Sequence, residues 1–112
     1  MTLPLEGIRV LDLTQVMAGP FCTMLLADMG ADVIKIEKPA GGDEIRKTGP
    51  PFINGESAAF LAINRNKRSI ILDLKAMDGK EILSGMAEKS DILVQNMSPG
   101  SMDRMGLGYD QI

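Results

Sequence analysis

Three carboxylates stand near the ends of predicted strands and are the first candidates for chemistry in this chain of 112 residues: Asp12, Glu37 and Asp73. In open α/β sheets, side chains at the C-terminal ends of parallel strands face the crevice where ligands bind. The spacing of these three indicates neither a general acid/base pair nor a metal cage, so capping, turn-forming or solvated roles are the stronger interpretation. The chain has no histidine and a single cysteine, Cys22. This excludes a Ser-His or Cys-His nucleophile pair, a histidine metal site and an internal disulfide within the chain.

Basic side chains concentrate in the middle of the sequence. Residues 35–75 hold eight basic and five acidic residues, although the whole chain carries a net charge of −3. Arg65, Lys67 and Arg68 place three positive charges within four positions. Two interpretations stay open for them, a solvated turn or a site for a small polyanion attracted by the local field. The net negative charge argues against general binding of nucleic acid.

The composition favours a globular chain in the cytoplasm. It is 45% hydrophobic and 24% charged, which is typical of a folded domain. The N-terminal residues lack the basic and apolar regions of a signal peptide. The longest apolar stretch, residues 16–27, is shorter than the ~20 residues that span a bilayer. Cys22 falls in this stretch, and we expect it to be a small buried hydrophobe.

The pattern of apolar and breaker residues predicts a βαβ unit at the start of the chain. Residues 8–13 and 32–37 are rich in β-branched side chains and are expected to form buried strands. Pro20 is suited to the first position of the intervening helix, and Gly30 to its C-terminal end. The short connections favour a parallel strand pair.

The rest of the chain continues this alternation after a long interruption. Glycine and proline predict an irregular loop over residues 38–55, of a length that is usually functional or mobile. A short helix is expected over 57–64, strands over 69–74 and 92–94, a helix from Asp78 to before Asp91, and a helical turn over 101–105. The fold class is therefore α/β, Rossmann-like, with a mostly parallel sheet and flanking helices.

The first βαβ unit also raises the hypothesis of a dinucleotide site. The layout matches a Rossmann unit, with the acidic Glu37 ending the second strand. However, Gly19 is the one glycine between Leu13 and Leu26, where the G-x-G-x-x-G fingerprint needs three. A nicotinamide or flavin module therefore ranks low among the alternatives.

Ordered motifs over residues 4–112 make the chain similar to a known family. They comprise residues 4–13, Ala18-Gly19-Pro20, residues 26–37, 41–43, 64–70 and 72–75, residues 91–94 with Asn96, and Pro99-Gly100. In this order and spacing the chain resembles the N-terminal part of a class III coenzyme A transferase. That family includes formyl-CoA transferase, carnitine CoA-transferase and α-methylacyl-CoA racemase.

The resemblance implies that residues 1–112 are the N-terminal, CoA-binding part of the large domain of an interlocked homodimer. CoA thioesters and small carboxylic acids would be the substrates, with no prosthetic group and no metal. In the transferase branch an aspartate forms an aspartyl-CoA intermediate; in the racemase branch a histidine and an aspartate move a proton. Both sets would lie beyond Ile112, so no catalytic residue is expected in this chain. The alternatives are a racemase-type enzyme and a non-catalytic CoA-binding or interaction module.

The family's contacts with CoA can be transferred to matching positions. The resemblance implies that Ala18 approaches the ligand, that Lys38 faces its nucleotide, and that Arg104 contacts a phosphate. Lys38 replaces a common arginine and so loses the bidentate fork. Arg65, Lys67 and Arg68 would fix their loop or contact a partner subunit. The complete implied set is Ala18, Lys38, Leu72, Asp73, Leu74, Lys75, Asn96, Met97, Ser98 and Arg104.

Overall fold

A computed structural model describes residues 2–112. Four parallel strands form the main sheet: β1 Arg9–Asp12, β2 Asp32–Glu37, β5 Arg68–Ile71 and β6 Ile92–Val94. Their order in the sheet is β5-β2-β1-β6. The helices are α1 Ala18–Asp28, α2 Ala58–Ile63, α3 Met77–Glu88 and α4 Ser101–Arg104. The predicted α/β class with a parallel sheet is confirmed.

The sheet has a hydrophobic core on each face, because successive side chains of a strand point to opposite sides. Val10 of β1 and Val33 of β2 pack with Ala27 of α1 on one face. Leu11 and Ile34 of the same strands pack with Leu83 of α3 on the other. Burial on both faces explains why β1 and β2 contain almost continuous apolar runs.

Helix α1 begins at Ala18, two residues before the predicted start. Pro20 is therefore the third helical residue, still within the first turn, where its missing N–H leaves no hydrogen bond unmade. At the other end, Gly30 adopts a φ of 103°. Its N–H donates to the carbonyl of Ala27 and that of Ala31 donates to Leu26, the hydrogen-bond pattern of a glycine-terminated helix.

The loop predicted over residues 38–55 contains more regular structure than expected. It holds a 3-10 helix, Glu44–Lys47, and the antiparallel hairpin of β3 (Phe52–Ile53) and β4 (Glu56–Ser57). Asn54 and Gly55 form the turn, with φ values of 51° and 83°. An Asn-Gly pair with both φ values positive is the favoured two-residue hairpin turn, so this hairpin could have been predicted from the sequence.

Two further expectations need correction. Strand β5 ends at Ile71, although the sequence predicted a strand as far as residue 74, and residues 72–75 form a turn. Cys22 is exposed, because α1 is apolar around its whole circumference and the sequence does not say which side faces the sheet. Within residues 2–112, no helix is long and apolar enough to cross a membrane.

Candidate functional site

A cavity of about 380 Å³ lies at the C-terminal ends of the strands. We call it the strand-end cavity. It is on the same face of the sheet as α3 and α4, close to where the chain crosses from one half of the sheet to the other. Ligands of open α/β folds bind at this position. Its lining is Leu13, Gln15, Ile36, Glu37, Lys38, Leu72, Asp73, Leu74, Lys75, Met97, Ser98, Ser101 and Met105.

Seven of the ten residues implied by the family pattern line this cavity: Lys38, Leu72, Asp73, Leu74, Lys75, Met97 and Ser98. Ala18, Asn96 and Arg104 do not. The implied set did not include the other six lining residues, which are Leu13, Gln15, Ile36, Glu37, Ser101 and Met105. The position of Gln15 just beyond β1 is a signal that could have identified it, since residues following a parallel strand face the same edge of the sheet.

The turn formed by residues 72–75 is fixed by its own hydrogen bonds and by α3. Asp73 Oδ1 accepts from the backbone N–H of Lys75 at 3.0 Å. The Asp73 carbonyl accepts from the N–H of Ala76 at 3.1 Å. Gly79 of α3 lies against this turn so closely that a Cβ there would be 2.0 Å from the Asp73 carbonyl oxygen. Within residues 2–112 the exposed Lys75 side chain has no ion-pair partner.

The cation at Lys38 is paired. Its ammonium contacts the carboxylate of Glu44, and both side chains are about half exposed. Lys47 is a second cation beside Glu44, with Nζ 3.9 Å from Oε2. Lys38 holds the pKa of Glu44 below its usual value by a hydrogen bond and by its charge, with a smaller effect from Lys47.

Asn96 fastens the turn that follows β1. Its Oδ1 accepts from the N–H of Gln15 at 3.1 Å, and its Nδ2 donates to the Gln15 carbonyl at 2.9 Å. Asn96 therefore reaches the strand-end cavity through Gln15, which lines it. Ala18 lies one connection further on, exposed at the start of α1.

Arg104 is at the end of α4, the helix that borders the cavity with Ser101. Its Nη2 donates to Ser101 Oγ at 3.1 Å, and its guanidinium lies over Gly100, whose φ is 82°. Within residues 2–112 no carboxylate pairs with it. Arg104 and Lys75 are thus charges that an anionic ligand can approach without displacing a carboxylate.

The turn after β1 is also supported by two buried ion pairs. Asp12 Oδ2 accepts from Lys67 Nζ at 3.0 Å and from Thr23 Oγ1 at 2.6 Å. Lys67 also donates to the Pro20 carbonyl at 3.0 Å. Burial raises the pKa of Asp12, but hydrogen bonds from Thr14 and Thr23 and the charge of Lys67 outweigh it, so its pKa is lowered.

The second buried pair joins β2 to the loop after it. Lys35 Nζ lies 2.8 Å from Asp43 Oδ2, with both side chains at most 1% exposed. Lys35 also donates to the Thr14 carbonyl at 2.9 Å, and Asp43 Oδ1 accepts from the N–H of Val16 at 3.0 Å. Val16 has a φ of 71°, which is unusual for a β-branched residue. The surrounding contacts hold it there.

Glu37 ends β2 in a third buried arrangement. Arg46 donates to both of its carboxylate oxygens at 2.7 Å, and Ser69 Oγ and the N–H of Asp43 donate as well. Burial raises the pKa of Glu37, whereas these hydrogen bonds and the Arg46 charge lower it, with a net result of about 2. Asp12 and Glu37 are therefore satisfied structural carboxylates, which corrects the solvated role considered from the sequence.

The basic segment at residues 65–68 is a largely exposed turn, but its cations are paired within the chain and do not form a free anion site. Arg65 pairs with Asp28 and Arg68 with Asp32, each at 2.7 Å. The Lys67 side chain is 2% exposed and paired with Asp12. The three cations fasten their loop to α1 and to the start of β2, and none lines the strand-end cavity.

A second cavity suits an anionic ligand less well. A larger cavity of about 650 Å³ lies between α3, β6 and the C-terminal segment, and its lining contains Asp91 but no lysine or arginine. Among residues 2–112, no group of three acidic or cysteine side chains is arranged to hold a metal ion.

Comparison with known proteins points to one family. The profile of CoA-transferase family III matches residues 5–112. The chain is 53% identical over 109 residues to succinyl-CoA:glutarate CoA-transferase of Mus musculus, covering 97% of this chain and 25% of that protein. It is 50% identical over 112 residues to formyl-CoA:oxalate CoA-transferase of Bradyrhizobium sp. strain ORS 278, covering all of this chain and 26% of the relative.

A solved structure shows the same fold. A CaiB/BaiF family protein from Brucella suis superposes with a TM-score of 0.94 at 40% identity, over 99% of this chain and 30% of that one. The chain spans about a quarter of the length of the curated relatives it matches.

Proposed function

Because this chain belongs to CoA-transferase family III, we propose that it binds coenzyme A in the strand-end cavity. The full protein would move CoA between an acyl-CoA and a carboxylic acid. The observation that carries the proposal is the convergence of Lys38, the turn at residues 72–75, Met97 and Ser98 on one cavity. These residues come from the ends of three strands and are far apart in sequence.

The chemistry of the lining suits the nucleotide part of CoA. A 3′-phosphate and a pyrophosphate need fixed positive charge, which Lys75 and Lys38 supply at the cavity and Arg104 beside it. Leu72, Leu74 and Met97 provide apolar walls for a flat base. A volume of about 380 Å³ is near the small end of ligand sites, so we assign it to the nucleotide and place the thiol arm outside it.

The transfer itself would proceed through covalent catalysis by a carboxylate. An aspartate attacks the donor thioester carbonyl, the C–S bond breaks, and CoA thiolate leaves behind a mixed anhydride. The thiolate then attacks the aspartyl carbonyl, which releases the donor acid and gives aspartyl-CoA. The acceptor carboxylate reverses these two steps. The relatives described above are named as transferases, which favours transfer over racemisation.

We assign the nucleophile to none of the strand-end carboxylates of this chain. Asp12 and Glu37 are buried and occupied by hydrogen-bond donors. Asp73 is used to form the turn of the binding site. An acyl-CoA transfer assay of the 112-residue chain is therefore expected to show no turnover. The same assay on the full protein separates the two hypotheses, because a transferase would show turnover and a non-catalytic module would not.

The full protein would be a homodimer, as the family pattern implies. The exposed apolar side chains of Met17, just before α1, and of Phe21 and Leu25 within it follow one another at intervals of four residues. Such a stripe is suited to a protein interface, which supports this part of the proposal.

Calorimetric titration with CoA tests the site. We expect saturable binding that weakens roughly tenfold in Lys75→Ala or Arg104→Ala, because each removes one charged contact with a phosphate. Lys89→Ala is the matched control, since Lys89 is exposed at the end of α3, away from the cavity. Absence of saturable binding, or equal affinities in all four proteins, would overturn the assignment.

A further inference from the structure

The Lys38 ammonium has two possible anionic partners, the carboxylate of Glu44 and a ligand in the strand-end cavity. Its side chain lines the strand-end cavity, yet its ammonium is paired with Glu44. A lysine carries its charge on a flexible four-carbon stem, so the ammonium can move between a carboxylate at the rim and an anion within the cavity.

Glu44 has no such freedom in its backbone, because its neighbours are anchored. Asp43 is buried, and its Oδ1 accepts from the N–H of Ile45 at 3.1 Å. Ile45 is itself 3% exposed. Arg46 is held by Glu37 on the adjacent strand. Glu44 does not line the cavity, so its backbone cannot follow Lys38 towards a ligand without releasing these contacts.

We propose that Glu44 is an affinity-setting carboxylate that competes with the phosphates of coenzyme A for the Lys38 ammonium. This inference rests on the proposed function. A phosphate in the cavity gains Lys38 only when the pair with Glu44 opens, and the free energy of that pair is subtracted from the binding free energy. Lys47 stays beside Glu44 when Lys38 leaves and limits the cost.

The size of the effect follows from the exposure of the pair. Ion pairs between half-exposed side chains contribute little, because water screens them. Removing the competing charge is therefore expected to tighten CoA binding about two- to fivefold. The effect should require both a phosphate on the ligand and the ammonium of Lys38.

The test is a double-mutant cycle measured by calorimetry with CoA and with adenosine, which is the nucleoside part of the ligand without its phosphates. We expect Glu44→Gln to tighten CoA binding two- to fivefold and to leave adenosine binding unchanged. In a Lys38→Met background the same substitution should have no effect. Glu81→Gln changes the net charge equally from an exposed position on α3 away from the cavity, and should not alter the affinity.

Two results would overturn the inference while leaving the proposed function intact. One is wild-type CoA binding that Glu44→Gln leaves unchanged or weakens. The other is a gain that persists in the Lys38→Met background or appears equally in Glu81→Gln, which would indicate a general charge effect. Failure of the wild-type chain to bind CoA would overturn the proposed function itself, and this inference with it.

Discussion

Lys67 and Arg65 lie two positions apart in the basic segment, and their ion pairs differ in surroundings. The pair of Lys67 with Asp12 is almost completely buried, whereas Arg65 is 61% exposed where it meets Asp28. Removing one partner of a buried pair leaves an uncompensated charge, which costs far more than the pair is worth in water. At the scale of single residues, burial decides which cation is structural.

This contrast predicts different stabilities for two variants. Lys67→Met should lower the free energy of unfolding by about 3–5 kcal/mol, because Asp12 remains buried without its cation. Arg65→Ala should lower it much less, because water screens the exposed pair with Asp28. Urea denaturation monitored by circular dichroism measures both. Similar losses of unfolding free energy in the two variants would contradict the conclusion that burial makes the Lys67–Asp12 pair structural.

Glu37 predicts an acid-dependent loss of stability. Its pKa is lowered from 4.5 to about 2 in the folded chain, so the folded state favours the ionised form. This contribution, on the order of 3 kcal/mol, is complete above the unfolded pKa and is lost as the pH falls through the folded one. The urea concentration at the unfolding midpoint should therefore decrease as the pH is lowered from 4.5 to 2.

Glu37→Gln provides the control for that titration. The variant should be less stable than the wild type at pH 6 and should lose less stability on acidification, because the remaining dependence comes from other carboxylates. Parallel pH profiles for the two proteins would show that Glu37 does not carry the effect.

At the scale of elements, local sequence predicted some boundaries and not others. The bounds of β2 and β6 match their predicted strands, because apolar runs between breakers define them. Residues 72–74 were expected to continue β5, since Leu72 and Leu74 keep the strand pattern, but they belong to the turn at residues 72–75. It bends because Asp73 caps its own turn and Gly79 allows α3 to approach, a tertiary contact that periodicity does not encode.

Alanine substitutions at two glycines of α3 distinguish the effect of helix propensity from the effect of the contact between α3 and the turn at residues 72–75. Gly79→Ala should displace the turn, because its Cβ would meet the Asp73 carbonyl at 2.0 Å, and CoA affinity should fall at least several-fold. Gly85→Ala has open space around it and should stabilise the chain by up to about 1 kcal/mol. Calorimetry and urea denaturation measure the two effects. Unchanged CoA affinity in Gly79→Ala would contradict a contribution of this turn to CoA binding.

At the scale of the whole molecule, most of the residues implied by the family pattern lie around one cavity, whereas most of the basic residues in the middle of the chain are paired with carboxylates of the same chain. The excess of basic residues between positions 35 and 75 suggested a polyanion site there, yet Lys35, Arg46, Arg65, Lys67 and Arg68 are all paired internally. From sequence alone, a lysine is ordinarily expected at the surface. Lys35 and Lys67 are buried because they pair with the buried carboxylates of Asp43 and Asp12. Only the folded chain brings these partners together.

Chemical-shift mapping of the ¹⁵N-labelled chain during a CoA titration tests the central claim most directly, because it reports both whether CoA binds and where. We predict saturable shifts concentrated at Lys38, residues 72–75, Met97 and Ser98. Small or no shifts are expected around Tyr109 and the cavity of about 650 Å³ beside β6. Absence of saturable shifts, or shifts concentrated around Tyr109, would contradict the account.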